Sequence, residues 1–317
     1  MPLSPKRLDT TAQAPEPSIG LVVDRMDWHA REVAAALAAR GFGAAPIRLH
    51  LCAIATEDAS GLQIDGFAQR LPDAVLVRCM SGGTFEAVTL RLGILHALRE
   101  RGVMVWNDAR AIERCVDKSM TSFLLARAGI ATPPSWAVGS YDQASAIVRT
   151  ETKAAALVLK PLFGSQGRGL RLIRKPDDLP PPQEVAGGVY YLQRFVGVER
   201  SGFHDFRLLV IRGRVVAAMQ RHSTNWITNV KRGGRPVPAL INDDLGELAV
   251  RAATAVGADF AGVDVLYGPD RQPTVLEVNS MPAWSGLQKV SSVNIAASLV
   301  AALVDALAER RRRGATA

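Results

Sequence analysis

The sequence predicts an α/β protein in which a small parallel α/β domain precedes two α+β lobes. Three observations carry that expectation. The first hundred residues alternate apolar strands with helices, a glycine-rich loop sits between two apolar strands in mid-chain, and the last third is rich in strands with acids set inside them. With 317 residues, 48% of them hydrophobic, the chain has material for two or three packed units.

Residues 1–17 contain four prolines with Ser, Thr and Gln and no apolar period, the composition of a mobile tail. Folding is expected to start at Ser18. Ile19 to Asp24 reads as a buried strand, and Trp28 to Arg40 as an Ala-rich helix with Val33, Ala36 and Leu37 on its apolar face and Gly41 at its end. A strand at Ala74 to Val77, a helix from Glu86 to Arg101 and a short strand at Val103 to Val105 continue the alternation, so a parallel α/β domain is expected over residues 18–113. No G-x-G-x-x-G follows the first strand, which argues against a Rossmann dinucleotide site.

A central lobe is expected over residues 114–188. It opens with a helix from Asp117 to Ala128, stopped by Gly129 and Pro133-Pro134. The strand Ala156 to Lys160, the loop Gly164-Ser165-Gln166-Gly167-Arg168-Gly169 and the strand Leu170 to Ile173 form a flap, and the prolines from Pro176 to Pro182 break the chain after it. The C-terminal lobe, residues 189–317, starts with a strand from Val189 to Val196. A hairpin follows, Phe206 to Ile211 and Arg214 to Met219, turned at Arg212-Gly213. After a loop rich in Asn, Lys, Arg and Gly come a helix from about Asp244 to Val256, strands at Ala261 to Leu266 and Thr274 to Asn279, and a closing helix from Val293 to Ala308.

Composition excludes several classes of protein. Cys52, Cys79 and Cys115 are odd in number and widely separated, which argues against a disulfide framework or a C-x-x-C site and reads as buried thiols. No apolar run reaches the roughly 18 residues that span a bilayer, and the N-terminus lacks the apolar core of a secretory signal, so a cytoplasmic protein without a membrane partner is expected. Part of the net charge of +8 lies in Arg310 to Arg313, which reads as a solvated helix end. The rest is spread along the chain without aromatic interleaving, so an anionic small molecule explains it better than nucleic acid.

The strongest constellation is Asp264, Glu277 and Asn279. Facing residues of neighbouring antiparallel strands stand about 4.5–5.5 Å apart, so Asp264 and Glu277 can converge, and Asn279 shares the face of Glu277 two residues away. All three offer oxygen, the ligand type of Mg²⁺. The alternative is pairing with arginines on an exposed sheet face; the apolar neighbours of both acids weigh against it. Lys160, ahead of the glycine loop, is placed to meet a phosphate, whose anionic oxygens backbone N–H groups can approach where glycine removes the side chain. Together these features suggest a nucleotide triphosphate held between two lobes. The histidines read as structural groups: His204 and His222 lie near the candidate strands, and His29, His50 and His96 show no metal spacing. Trp226 and Trp284 either wall an acceptor ring or pack in the core.

Seven segments occur in the order seen in ATP-grasp ligases: Asp117-Lys118-Ser119, Val158-Leu159-Lys160 with Gly164 to Gly169, Gln193-Arg194-Phe195-Val196, His204-Asp205-Phe206-Arg207, Asn229 before Arg232-Gly233-Gly234, Ala261-Gly262-Val263-Asp264, and Glu277-Val278-Asn279. Over roughly residues 19–305 the chain most resembles the RimK-type glutamate ligases of that superfamily. The resemblance implies an ATP-grasp fold with ATP clamped between the last two lobes. It implies that Lys118 and Lys160 contact phosphates, that Gly164, Ser165, Gln166 and Gly167 cover them, and that Gln193, Arg194, Phe195 and Asp205 line the nucleoside end. Asp264, Glu277 and Asn279 would hold two Mg²⁺ ions, with Mn²⁺ as a substitute, while Arg207, Arg221 and Asn229 would face the phosphoryl group and acyl intermediate.

Three departures from the family pattern stand out. Arg194 stands where an acidic residue is common, Ile227-Thr228-Asn229 where Arg-Ser-Asn is frequent, and Ser280 to Trp284 where a small-residue Pro-Gly turn is usual. The implied reaction is ATP-dependent amide formation through an acylphosphate, adding L-glutamate to an acidic small-molecule acceptor of pterin-coenzyme type. Modification of a protein C-terminus in RimK fashion and a non-catalytic ATP-binding regulator are the alternatives, and the intact Asp264, Glu277 and Asn279 disfavour the latter. A homo-oligomer stays open at this stage.

Overall fold

The computed structural model describes residues 18–68, 70–164, 166–197, 202–268 and 270–315; the tail 1–17 and Ser165 lie outside the described residues. The first unit runs β1 (Ile19–Val22), α1 (Trp28–Ala38), β2 (Ala44–Ile47), the ribbon β3 (Ala53–Ile54) and β4 (Leu62–Gln63), β5 (Ala74–Val77), α2 (Phe85–Glu100), β6 (Met104–Trp106) and α3 (Ala109–Val116). Its main sheet has the order β2-β1-β5-β6, parallel throughout. β1 and β5 are buried along their full length, as central strands covered on both faces must be. Asp27 caps α1 by accepting from Ala30 N, and Thr84 caps α2 by accepting from Ala87 N.

The second unit contains α4 (Lys118–Arg127), β7 (Ser135–Val138), α5 (Tyr141–Glu151), β8 (Leu157–Lys160), β9 (Arg171–Ile173) and β10 (Tyr190–Arg194). Its sheet, β7-β10-β8-β9, is antiparallel. Two expected boundaries move as a result. The strand near 190–194, assigned by sequence to the third lobe, pairs on both edges within the central sheet, Gln193 opposite Ser135 on one side and Val158 on the other. The prolines before it form short 3-10 turns that return the chain to this sheet, so they mark a loop and no lobe boundary. Similarly, α3 runs across the expected break at residue 113 and packs on α4.

The third unit comprises β11 (Phe203–Ile211), β12 (Arg214–Ser223), β13 (Arg235–Pro238), α6 (Asp243–Val256), β14 (Phe260–Tyr267), β15 (Pro273–Asn279), α7 (Ser285–Gln288) and α8 (Ile295–Ala315). The sheet order is β13-β12-β11-β14-β15, antiparallel throughout. Period-two alternation divides its faces. Leu208, Val210, Val263, Val265 and Val278 pack on α6, whereas Leu209, Ile211 and Phe260 on the opposite face join α8, α1 and the first sheet in one core. Trp284, 1% exposed, belongs to that core and is no acceptor wall. The closing helix extends beyond the expected Ala308, and Arg311 near its end pairs with Asp73 at 3.0 Å. No helix among the described residues is long and apolar enough to cross a membrane.

Asn107, directly after β6 and fully buried, ties the first unit to the third. Its Nδ2 donates to Phe260 O at 2.7 Å and Ser280 O at 2.5 Å, and its Oδ1 accepts from Asp259 N at 2.7 Å and Phe260 N at 3.0 Å. All four hydrogen-bonding positions of the amide are used, and the backbone groups it satisfies belong to segments that lead into β14 and out of β15. Asn107→Ala is expected to destabilise the protein by at least about 3 kcal/mol, read from urea unfolding, because it strands several buried polar groups at once.

Candidate active site

Between the central and third sheets lies a cavity of about 730 Å³, within the range of small-molecule sites. One wall comes from β8 and β10. Val158 and Lys160, two residues apart, share a face of β8, and Lys160 pairs across the sheet with Tyr191. Lys160 Nζ donates to Gln193 Oε1 at 2.6 Å; Gln193 Nε2 in turn donates to Ser135 Oγ at 3.1 Å and Tyr191 Oη at 3.2 Å, and Tyr191 Oη meets Ser122 Oγ at 2.8 Å. This chain of hydrogen bonds fixes the lysine at the cavity edge. Burial pushes Lys160 down to about 8, with the negative charge of Glu277 opposing the fall and Lys118 adding to it. Burial lowers Lys118 as well, against Glu277 and Asp117.

The facing wall is the polar end of the third sheet. Asp264 pairs with Glu277 in register, and Gly262 with Asn279, so the expected triad shares one face of β14 and β15. A bulge separates this pairing from that of Val265 with Val275, leaving Leu276 unpaired. It lets consecutive residues, Leu276 and Glu277, both line the cavity. Among the described residues no cluster of three or more His, Cys, Asp or Glu side chains offers a metal site; a cation here would rely on two carboxylates and the Asn279 amide oxygen. That all-oxygen donor set fits Mg²⁺, and Asn279 Nδ2, buried with no hydrogen-bond partner, shows an amide not committed to the fold through its donor.

Asp264 is also the centre of a charge ladder. Arg207 faces it across β11 and β14 and holds it bidentately, Nε to Oδ1 at 2.7 Å and Nη2 to Oδ2 at 2.6 Å. Arg221 Nη2 lies 3.1 Å from Asp264 Oδ2 and the same guanidinium holds Asp205, its cross-strand partner, with Nε to Oδ1 at 2.7 Å. Thr228 Oγ1 adds a 2.8 Å bond to Asp205 Oδ2. Burial works to raise the Asp264 carboxyl, but Arg207 and Arg221 outweigh it and hold the group below its ordinary value. Burial likewise opposes the Arg221 charge, and Asp264 with Asp205 more than restores it.

Expected contacts therefore divide. Lys160, Gln193, Arg194, Phe195, Asp205, Arg221, Asn229, Asp264 and Glu277 all line the cavity. The Arg194 side chain is committed to Glu151 at 2.5 Å, so its head is held by α5. Arg221 and Asp205, 2% and 4% exposed, pair with each other inside the ladder. Lys118 Nζ donates to Gly164 O at 2.7 Å and Leu162 O at 3.3 Å, which ties the start of the flap to α4. Gln166 and Gly167 both adopt left-handed φ. A Cβ at Gly167 would lie 2.7 Å from Asn229 Oδ1, so glycine is what lets the flap meet the 227–229 segment, and Arg232 Nη2 bonds Gly167 O at 3.2 Å. Trp226 lines the cavity and stands edge-on to Phe195, 6.0 Å between centroids. Thr228, Glu151 and the Ser122–Ser135–Tyr191 cluster were not anticipated; each partner is remote in sequence and no local motif marks it.

Two sheets gripping a cavity, with a lysine and glycine flap on one side and paired acids on the other, define an ATP-grasp ligase. The RimK-like ATP-grasp domain matches residues 115–303, and the chain belongs to that family. The tetrahydromethanopterin:alpha-L-glutamate ligase of Methanosarcina acetivorans is 30% identical over 314 residues, covering 87% of this chain and 95% of that protein. The enzyme of the same name from Methanococcus maripaludis is 35% identical over 206 residues, 63% of this chain and 69% of its own. In fold, the chain resembles the ATP-grasp ligase PsnB, solved with a precursor variant, Mg and ADP, with a TM-score of 0.72 at 24% identity over 92% of this chain and 99% of that one.

We propose that Lys160 meets a nucleotide phosphate; as burial brings the lysine down to about 8 and a phosphate favours the ammonium, binding would be linked to proton uptake on the alkaline side. Metal-free ADP is expected to take up about one proton at about pH 9 and close to none at about pH 7, its affinity declining between them. Calorimetry in buffers of different ionisation enthalpy reads the uptake. It should vanish in Lys160→Met.

Proposed function

We propose that the protein joins L-glutamate to an acidic acceptor, a small coenzyme of pterin type, by phosphorylating an acceptor carboxylate and then displacing phosphate with the amino group. The observation that carries this reading is the convergence on one cavity of Lys160 from the central sheet and Asp264 with Glu277 from the third. Val158, Leu170, Phe195, Leu266 and Leu276 give the cavity an apolar slot suited to a purine. Relatives named for glutamate ligation to tetrahydromethanopterin support both the donor and the acceptor class.

In this reading Lys118 and Lys160 bind the phosphates, Phe195 and its neighbours hold the base, and Asp264, Glu277 and Asn279 would hold Mg²⁺. The metal, when bound, neutralises charge on the phosphates. Arg207, locked in register beside Asp264, holds that carboxylate in place at the cavity wall. The acceptor carboxylate oxygen bonds to the γ-phosphorus as the bond to the bridging oxygen breaks and ADP leaves. The glutamate amine then bonds to the acyl carbon, phosphate departs with the C–O bond pair, and the amine loses its proton. Asn229, next to Gly167, sits where the flap and the 225–234 loop meet and helps exclude the water that would hydrolyse the acylphosphate.

Purified protein with Mg-ATP, isotope-labelled glutamate and a small-molecule extract of the source cells should yield a labelled product by mass spectrometry. Glu277→Gln should lower its formation by at least about 100-fold with little change in Tm, since a metal-facing charge is lost while the volume is kept. Equal incorporation by that variant would sink the assignment of Glu277. Absence of label with wild-type protein that still binds ATP would sink the glutamate and small-acceptor reading.

A further inference from the structure

In the first sheet the chain runs from β1 out to β2 and returns on the other side at β5, so the carboxyl ends of β1 and β5 flank a topological switch point. Open parallel sheets bind ligands at such crevices. A second cavity, about 310 Å³, opens there between Val23, Asp24, Arg25, Asp27, Arg78 and Cys79.

Arg78 is the unexplained group. It is 6% exposed, its Nε and Nη1 are buried with no hydrogen-bond partner, and its guanidinium lies 4.8 Å over the ring of Trp284. A buried cation with unmet donors is costly unless something satisfies it. Asp27 is near enough for its charge to favour the Arg78 cation, but neither carboxylate of the cavity hydrogen-bonds Arg78 Nε or Nη1. Asp27 accepts from Ala30 N at 2.9 Å and from His29 Nδ1 at 3.3 Å, and Asp24 accepts from Cys79 Sγ at 2.8 Å and from the Ser81 hydroxyl. The platform beneath is rigid: His29 Nε2 accepts from Trp284 N at 3.1 Å and Ser285 N at 3.2 Å, and the His29 and Trp284 rings meet edge to face.

This second cavity is joined to the ATP site by two short segments. Trp284 stands five residues after Asn279, so their backbones are at most about 18 Å apart. On the other side, Asn229 lines the ATP cavity while its neighbour Val230 packs at Gly286 of α7, two residues after Trp284. These segments bound the separation between the Arg78 platform and the reacting edge.

We infer that Arg78 receives a non-reacting carboxylate of a substrate, supplied by the incoming amino acid or by an acidic acceptor, and orients it toward the ATP site. The inference rests on the ligase reading for the identity of the ligand, but binding tests it without turnover. The full-length protein would be titrated with L-glutamate and, separately, with γ-L-glutamyl-L-glutamate as a mimic of an acidic acceptor end, following tryptophan fluorescence and heat. Arg78→Met should weaken one of these probes by about 10- to 100-fold, the loss expected for hydrogen bonds to a charged group, with Mg-ADP affinity unchanged; Arg78→Lys should recover part of it. The probe that weakens identifies the source of the carboxylate. In wild-type protein the Arg78 Nε resonance should shift on saturation, a readout that does not depend on either variant folding. Binding of both probes unaffected by Arg78→Met, binding of neither to wild type, or an unmoved Nε resonance would overturn the inference. Arg78-dependent binding without glutamate incorporation would uphold the receptor and count against the ligase reading alone.

Discussion

The ladder Asp205–Arg221–Asp264–Arg207 is the constraint on which the site depends. Four charges sit almost without solvent on one sheet face, and their cross-strand registers, Asp205 with Arg221 and Arg207 with Asp264, make each the neighbour of an opposite charge. Two acids and two arginines sum to zero, which is what makes their burial tolerable; removing a single member would leave an uncompensated charge at a cost of about 3–5 kcal/mol. The ladder carries no net charge of its own, and Lys160, Arg271 and Glu277 line the cavity beside it. It also explains why the third sheet has one graded face: its apolar end, Leu209, Ile211 and Phe260, is sealed by α8 and the first unit, and its charged end opens to the nucleotide cavity.

That gradation couples the three units. The core beneath the apolar end contains strands of the first sheet, α1, α8 and Trp284, so the platform under Arg78 and the floor of the ATP site are parts of one packed body. Asn107 pins the same junction from the other side. Among the described residues, the flap meets the 225–234 loop at Gly167, through Ile227, Asn229 and Arg232.

Much of this was legible in the sequence, for identifiable reasons. The expected antiparallel pairing of Ala261 to Leu266 with Thr274 to Asn279 was enough to face Asp264 toward Glu277, and Ile19, Ala74 and Met104 fall in parallel strands as the strand–helix alternation of the first hundred residues implied. Sheet membership was harder. The strand at 190–194 looks the same whether it pairs with β7 and β8 or with the following hairpin, and β7 itself, four residues between a Pro pair and a Gly-Ser turn, has too little periodicity to be seen. Side-chain partnership was least legible: Arg207, Arg221 and Arg194 were marked as site residues, but that the first two hold Asp264 and the third Glu151 depends on strand register and on helix placement. The bulge at Leu276 and the orphaned Arg78 have no local signature.

In the proposed reaction this sheet face activates a carboxylate by phosphorylating it. That step is tested most directly by following oxygen. With the acceptor isolated from its labelled product and its carboxyl oxygens exchanged for ¹⁸O, turnover with ATP and glutamate should release inorganic phosphate carrying one ¹⁸O per amide formed, alongside ADP. Phosphate free of ¹⁸O, or release of AMP and pyrophosphate, would contradict the account.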